Sequence, residues 1–113
     1  MARKAWVAGI AAVVLGASGS LLAHHAFSSE FDANAPVTLR GPVTKVEWMN
    51  PHVYFYLDVK DTSSGVAQWA IEGGAPTSLY RAGWRKDSLK VGDALTVHGF
   101  LARDGSKLAN MRN

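Results

Sequence analysis

The residues best suited to chemistry in this 113-residue chain are its four histidines, His24, His25, His52 and His98, and no cysteine competes with them. His24 and His25 directly follow a stretch that reads as a removable leader. A cut after Ala23 makes His24 the first residue of the mature chain, so its free α-amine and imidazole belong to one residue and can chelate one metal together. Imidazole and amine nitrogens suit Cu(II), which also tops the divalent affinity series. The amine must lose its proton to bind, a small cost near neutral pH for a group whose ordinary pKa is about 7.7–8.0. His52 at a turn and His98 on the outward side of a strand are expected to complete the site if they converge. The competing reading is a solvated His24-His25 terminus and a His52 that caps its turn.

Trp48, Tyr54 and Tyr56 form a second constellation. The two tyrosines alternate outward along a strand, near Trp48 or Trp84, and could stack a sugar or a base as aromatic platforms on small barrels do. Cross-strand packing is the alternative. Catalysis finds no motif: the chain has no nucleophile elbow, no paired-carboxylate arrangement and no HExxH run. Glu47 and Glu72 are expected to pair with Lys45, Arg81 or Arg85. The pattern predicts a non-enzymatic module for an unknown small ligand or a metal ion, with a protein partner in the envelope as a further possibility.

The elements that must position these residues begin after the leader. Residues 1–4 carry Arg3 and Lys4, residues 5–17 are apolar, and residues 18–23 are small or weakly polar, the order of a secretory signal peptide. The expected cut follows Ala23, with a cut after Gly19 as the competitor, and it predicts a periplasmic protein with no stable membrane span after cleavage. Of the 12 Lys plus Arg, Arg3 and Lys4 leave with the leader, so residues 24–113 carry 10 against 9 Asp plus Glu. That near balance argues against nucleic acid, which calls for a charged footprint. About 90 residues make one small domain.

Residues 24–36 are expected to form an arm whose Phe27 and Phe31 dock on a domain spanning 37–113. Val37, Leu39, Gly41 and Val43 share one phase, while Val46 and Trp48 have the opposite one, so the spacing predicts a single bent strand over 37–49 with a β-bulge. Asn50-Pro51 then reverses the chain. Val53, Phe55, Leu57 and Val59 alternate with Tyr54, Tyr56 and Asp58 in a second strand, and Ala67, Trp69 and Ile71 share a face of a third. Pro76 opens a short helix that Gly83 ends. Leu95 and Val97 face inward on a fourth strand, Asp104-Gly105 turns the chain, and residues 107–111 supply a fifth. The order β-β-β-α-β-β is that of the five-stranded Greek-key barrel called the OB-fold, with a plain antiparallel sandwich as the alternative.

With His24-His25-Ala26-Phe27, Glu30-Phe31-Asp32, Val46-Glu47-Trp48, Asn50-Pro51-His52, Trp69-Ala70-Ile71-Glu72 and Val91-Gly92-Asp93 in place, the chain resembles a family of small exported bacterial proteins known only as a domain of unknown function. The resemblance covers nearly all of residues 24–113, with Ala26 where a Ser is common. It implies export and a shared fold but carries no activity with it.

Overall fold

The computed structural model describes residues 27–63 and 65–112, so the expected leader and His24 and His25 lie outside the described residues. The chain divides into two compact units, Met1–Glu30 and Phe31–Asn113. The first contributes a helical turn at 27–30 to the described residues. The second is mainly β and holds five strands: β1 Phe31–Glu47, β2 Val53–Lys60, β3 Val66–Gly74, β4 Ala94–Ala102 and β5 Leu108–Met111, with one helix, Pro76–Arg81, between β3 and β4.

Strand β2 follows its sequence period: Val53, Phe55 and Leu57 are buried while Tyr54, Tyr56 and Asp58 are only partly covered. It pairs with both β1 and β3, antiparallel on each side. The phase slip read in β1 is real. Val43 pairs with Leu57 but Lys45 with Tyr56, so one extra residue, Thr44, sits in β1 against a single step of β2. The Thr44 hydroxyl fills the irregularity by donating to the Tyr56 carbonyl at 3.4 Å. Before the bulge β1 pairs with β4, from Phe31↔Ala102 to Pro42↔Ala94, and beyond it with β2. One long strand therefore serves two neighbours. The remaining pairings, parallel β3–β5 and antiparallel β4–β5, bring the order β1-β2-β3-β5-β4 back to β1 as a closed barrel.

Close crossings demand glycine at two points. A Cβ on Gly41 would collide with the Asp58 carbonyl oxygen across β2, and one on Gly99 with the Asn110 carbonyl oxygen across β5. Inside, Leu39, Val43, Phe55, Leu57, Ile71, Val97 and Ala109 make the core with Leu89 from the loop before β4. Each fully buried Leu, Ile, Val or Phe contributes roughly 1.5–3 kcal/mol, which is how so small a domain holds without disulfides. Of the side chains read as inward, Val53 is also buried, whereas Val59, Trp69 and Leu95 pack against the core only in part.

Two boundaries differ from the sequence reading. Strand β1 starts at Phe31 rather than Val37, and the Phe31 ring is buried at 2% exposure. Asp32, Asn34 and Pro36 read as loop because they break the alternation, yet they occupy a stretch where the β1–β4 register shifts, between Phe31 and Pro36. There the missing amide of a proline is tolerated. At its other end β1 stops at Glu47, which releases Trp48 into the turn.

Candidate functional site

The β2–β3 register decides what lies beside the first turn. Val53, the first residue of β2, pairs with Gly74, the last of β3. The turn that precedes Val53 and the helix that follows Gly74 are therefore neighbours. Ala75 gives this helix no side-chain cap, Pro76 supplies a preset first-turn φ, and Leu79 is its buried anchor. Gly83, at φ +100°, ends it in the left-handed region. The amide of Trp84 then donates to the Leu79 carbonyl at 2.9 Å, folding Arg85 and Lys86 back along the helix.

Between turn and helix lies a pocket of about 490 Å³, lined by Trp48, Pro76, Thr77 and Tyr80 with the cations Arg81, Arg85 and Lys86. Its aromatic wall is available, since Tyr80 is 59% exposed. The Arg85 guanidinium stacks on the Tyr80 ring at 3.8 Å from its centroid. Its Nη1 also donates to the carbonyls of Tyr80 at 3.2 Å and Trp84 at 2.7 Å. These contacts hold Arg85 in place and with it the edge of the pocket. An apolar recess with positive charge alone among its lining residues can take an apolar body that carries a negative group.

A second cluster lies on the outer wall of β2 and β3. Tyr54 pairs with Glu72 across the strands, and Glu72 is the one buried charged side chain among the described residues, at 7% exposure. His52 Nδ1 lies 3.0 Å from Glu72 Oε1. The Tyr54 hydroxyl donates to Glu72 Oε2 at 3.5 Å. Glu72 thus pairs with the turn histidine, not with Arg81 or Arg85 as expected, because its partner on β2 is Tyr54, two residues after His52. Glu47 does pair with Lys45, at 3.1 Å. The Lys45 hydrogen bond, and after it one from Tyr56, hold the Glu47 carboxyl below its usual range. The hydrogen bond to Glu47 in turn raises the Tyr56 hydroxyl, burial adding to it, and Lys45 is raised chiefly by the same carboxylate.

The expected site residues fall into separate places. Trp48 lines the pocket, whereas Tyr54 and Tyr56 are tied to Glu72 and Glu47 on the neighbouring wall. His98 is 3.1 Å from the Thr38 hydroxyl through its Nδ1 and borders a different groove, beside Arg40, Asp58 and Lys60. His52 and His98 therefore have different partners, and among the described residues no group of three or more His, Asp or Glu is arranged to hold a metal. His24 and His25 lie outside the described residues. Sequence reasoning missed Tyr80, Arg81, Arg85 and Lys86. Their one local signal is the Arg85-Lys86 pair, the longest basic cluster within residues 24–113.

Fold and site together define a small barrel with an external, cation-rimmed pocket beside its first turn. The family of unknown function DUF6152 matches residues 11–110, and the chain belongs to that family. No curated protein and no solved structure matches the chain. No helix among the described residues is long and apolar enough to cross a membrane.

Proposed function

We propose that the mature protein is an exported, periplasmic, non-enzymatic binding module of the OB type, with its ligand seated in the pocket between Trp48 and Tyr80. The OB reading draws on the strand order β1-β2-β3-β5-β4, the bulged β1 shared by two neighbours, and the helix between β3 and β4. Export draws on the basic, apolar and small-residue order of residues 1–23. The observation that carries the binding role is the pocket itself, a concave and largely apolar site with a few placed polar groups. Thermal unfolding of residues 24–113 against a panel of small organic compounds tests it, with Trp48→Ala in parallel. Compounds that raise the melting temperature of the parent and not of the variant support the role. A panel that shifts both equally, or neither, contradicts it.

A second reading, Cu(II) binding through the His24 amine and imidazole with His25, His52 or His98, gains support from the contact between His52 and Glu72. A carboxylate that accepts from Nδ1 fixes the ring and leaves Nε2 as the nitrogen with a lone pair, the arrangement that orients metal-bound histidines. Calorimetric titration with Cu(II) separates the cases. One added Gly before His24 moves the free amine off the histidine, so the chelate requires tight binding by the mature form and weak binding by the extended one. Equal affinities contradict it.

A further inference from the structure

Resting on the reading of the pocket as the ligand site, we propose that it selects organic anions with a planar apolar body: Trp48 and Tyr80 take the flat face, and Arg81 and Lys86 take the charge. The lining supplies the first half of the case. Two aromatic side chains and Pro76 form the walls, an apolar lining that offers a heavily hydroxylated ligand few partners. About 490 Å³ is the scale of sites for small organic molecules rather than for lone ions.

Charge supplies the second half. The segment 24–113 is close to electrically balanced, at 10 Lys plus Arg against 9 Asp plus Glu, so three cations around one recess are a local feature and not overflow from a basic protein. Their roles differ. Arg85 is committed to the Tyr80 ring and two backbone carbonyls, which makes it part of the wall. Arg81 and Lys86 are exposed, and among the described residues neither lies within ion-pair distance of a carboxylate. Asp87, next in sequence to Lys86, is exposed and does not line the pocket. A bound anion would therefore meet two cations without displacing an existing partner. Arg81 adds a planar fork suited to a carboxylate or a phosphate, and Lys86 a point charge.

Two flat ligands of like shape, 2-naphthoate and the neutral 2-naphthylmethanol, test this on the mature protein by tryptophan fluorescence. Naphthoate is expected to bind saturably and about tenfold or more tighter than the alcohol at low salt, with the gap narrowing as salt rises. The double variant Arg81→Gln, Lys86→Gln should lose that preference while still binding both ligands. Both side chains are exposed, so the variant should melt like the parent, and the salt series on the unmodified protein repeats the test without any substitution. Equal affinity for the two ligands would overturn the anion preference and leave the binding module standing. A preference that survives in the double variant would overturn the assignment to Arg81 and Lys86. Binding of neither ligand would overturn the inference outright, while the compound panel with Trp48→Ala decides the module independently.

Discussion

His52 Nδ1 lies 3.0 Å from Oε1 of Glu72, joining the turn after β1 to a carboxylate buried on the outer wall of β3. Tyr54, two residues after His52, is the direct cross-strand partner of Glu72, so the link ties the entry to β2 onto β3 and pins the turn that carries Trp48. Removing His52 takes a partner from a buried acid, and such a loss costs about 1–2 kcal/mol when the partner is itself half exposed. His52→Ala should lower the urea midpoint accordingly without changing the slope. His98→Ala, which loses only an exposed contact to Thr38, should stay within about 0.5 kcal/mol of the parent. Equal effects would mean that the Glu72 contact does not hold the turn.

Phe55 is 2% exposed at the centre of the core. Phe55→Ala should destabilise the barrel by about 3–5 kcal/mol, a large share of the total for a domain of this size. Chemical denaturation measures it directly, and a variant that unfolds with the parent would show that β2 does not present Phe55 inward.

Strand crossing makes Gly41 intolerant of any side chain. Gly41→Ala forces a methyl onto the Asp58 carbonyl and should cost about 1–3 kcal/mol or more, while Gly65→Ala, with open space around it, should be close to neutral. Thermal melts of the two variants side by side test the closure of β1 on β2. Similar melting temperatures would contradict it.

Stability should also respond to pH through the Lys45, Glu47 and Tyr56 cluster. Glu47 titrates below its usual 4.5 and Asp104, bonded by Ser106, below its usual 3.8. Their contribution is present above those values and is lost as pH falls through the lower folded ones. Lys45 and Tyr56 are raised above 10.5 and 10.0, so theirs is present below those values and is lost as pH rises through the higher folded ones. Because the cluster is at the surface, the effects are small. Glu47→Gln should flatten both flanks of a melting-temperature profile, the alkaline one most, since Glu47 is the largest cause of the shifts of both Lys45 and Tyr56. An unchanged profile would contradict the linkage.

Much of the barrel was legible in the sequence because its strands obey local rules. The alternation from Val53 to Leu57 places β2, the slip between Val43 and Val46 marks the bulge, and Pro76 and Gly83 bracket the helix. The start of β1 is hidden because Asn34 and Pro36 resemble a loop, and the pairing of Phe31 and Pro36 with β4 is what extends the strand. The sites were less legible for a different reason. Alternation could point Tyr54 and Tyr56 outward, but their carboxylate partners are set by cross-strand register. The pocket depends on residues 48 and 80–86, brought together by the Val53↔Gly74 pairing, and no spacing within either segment reports the other.

The most direct measurement of the central claim is the ¹H–¹⁵N spectrum of residues 24–113 titrated with 2-naphthoate. Its three indole groups, of Trp48, Trp69 and Trp84, report from different places. The Trp48 indole and the amides of residues 80–86 should shift together and saturate, while the Trp69 indole stays in place. Saturable shifts centred instead on Thr38, Arg40, Lys60 and His98, or no shifts at all, would contradict a ligand site between Trp48 and Tyr80.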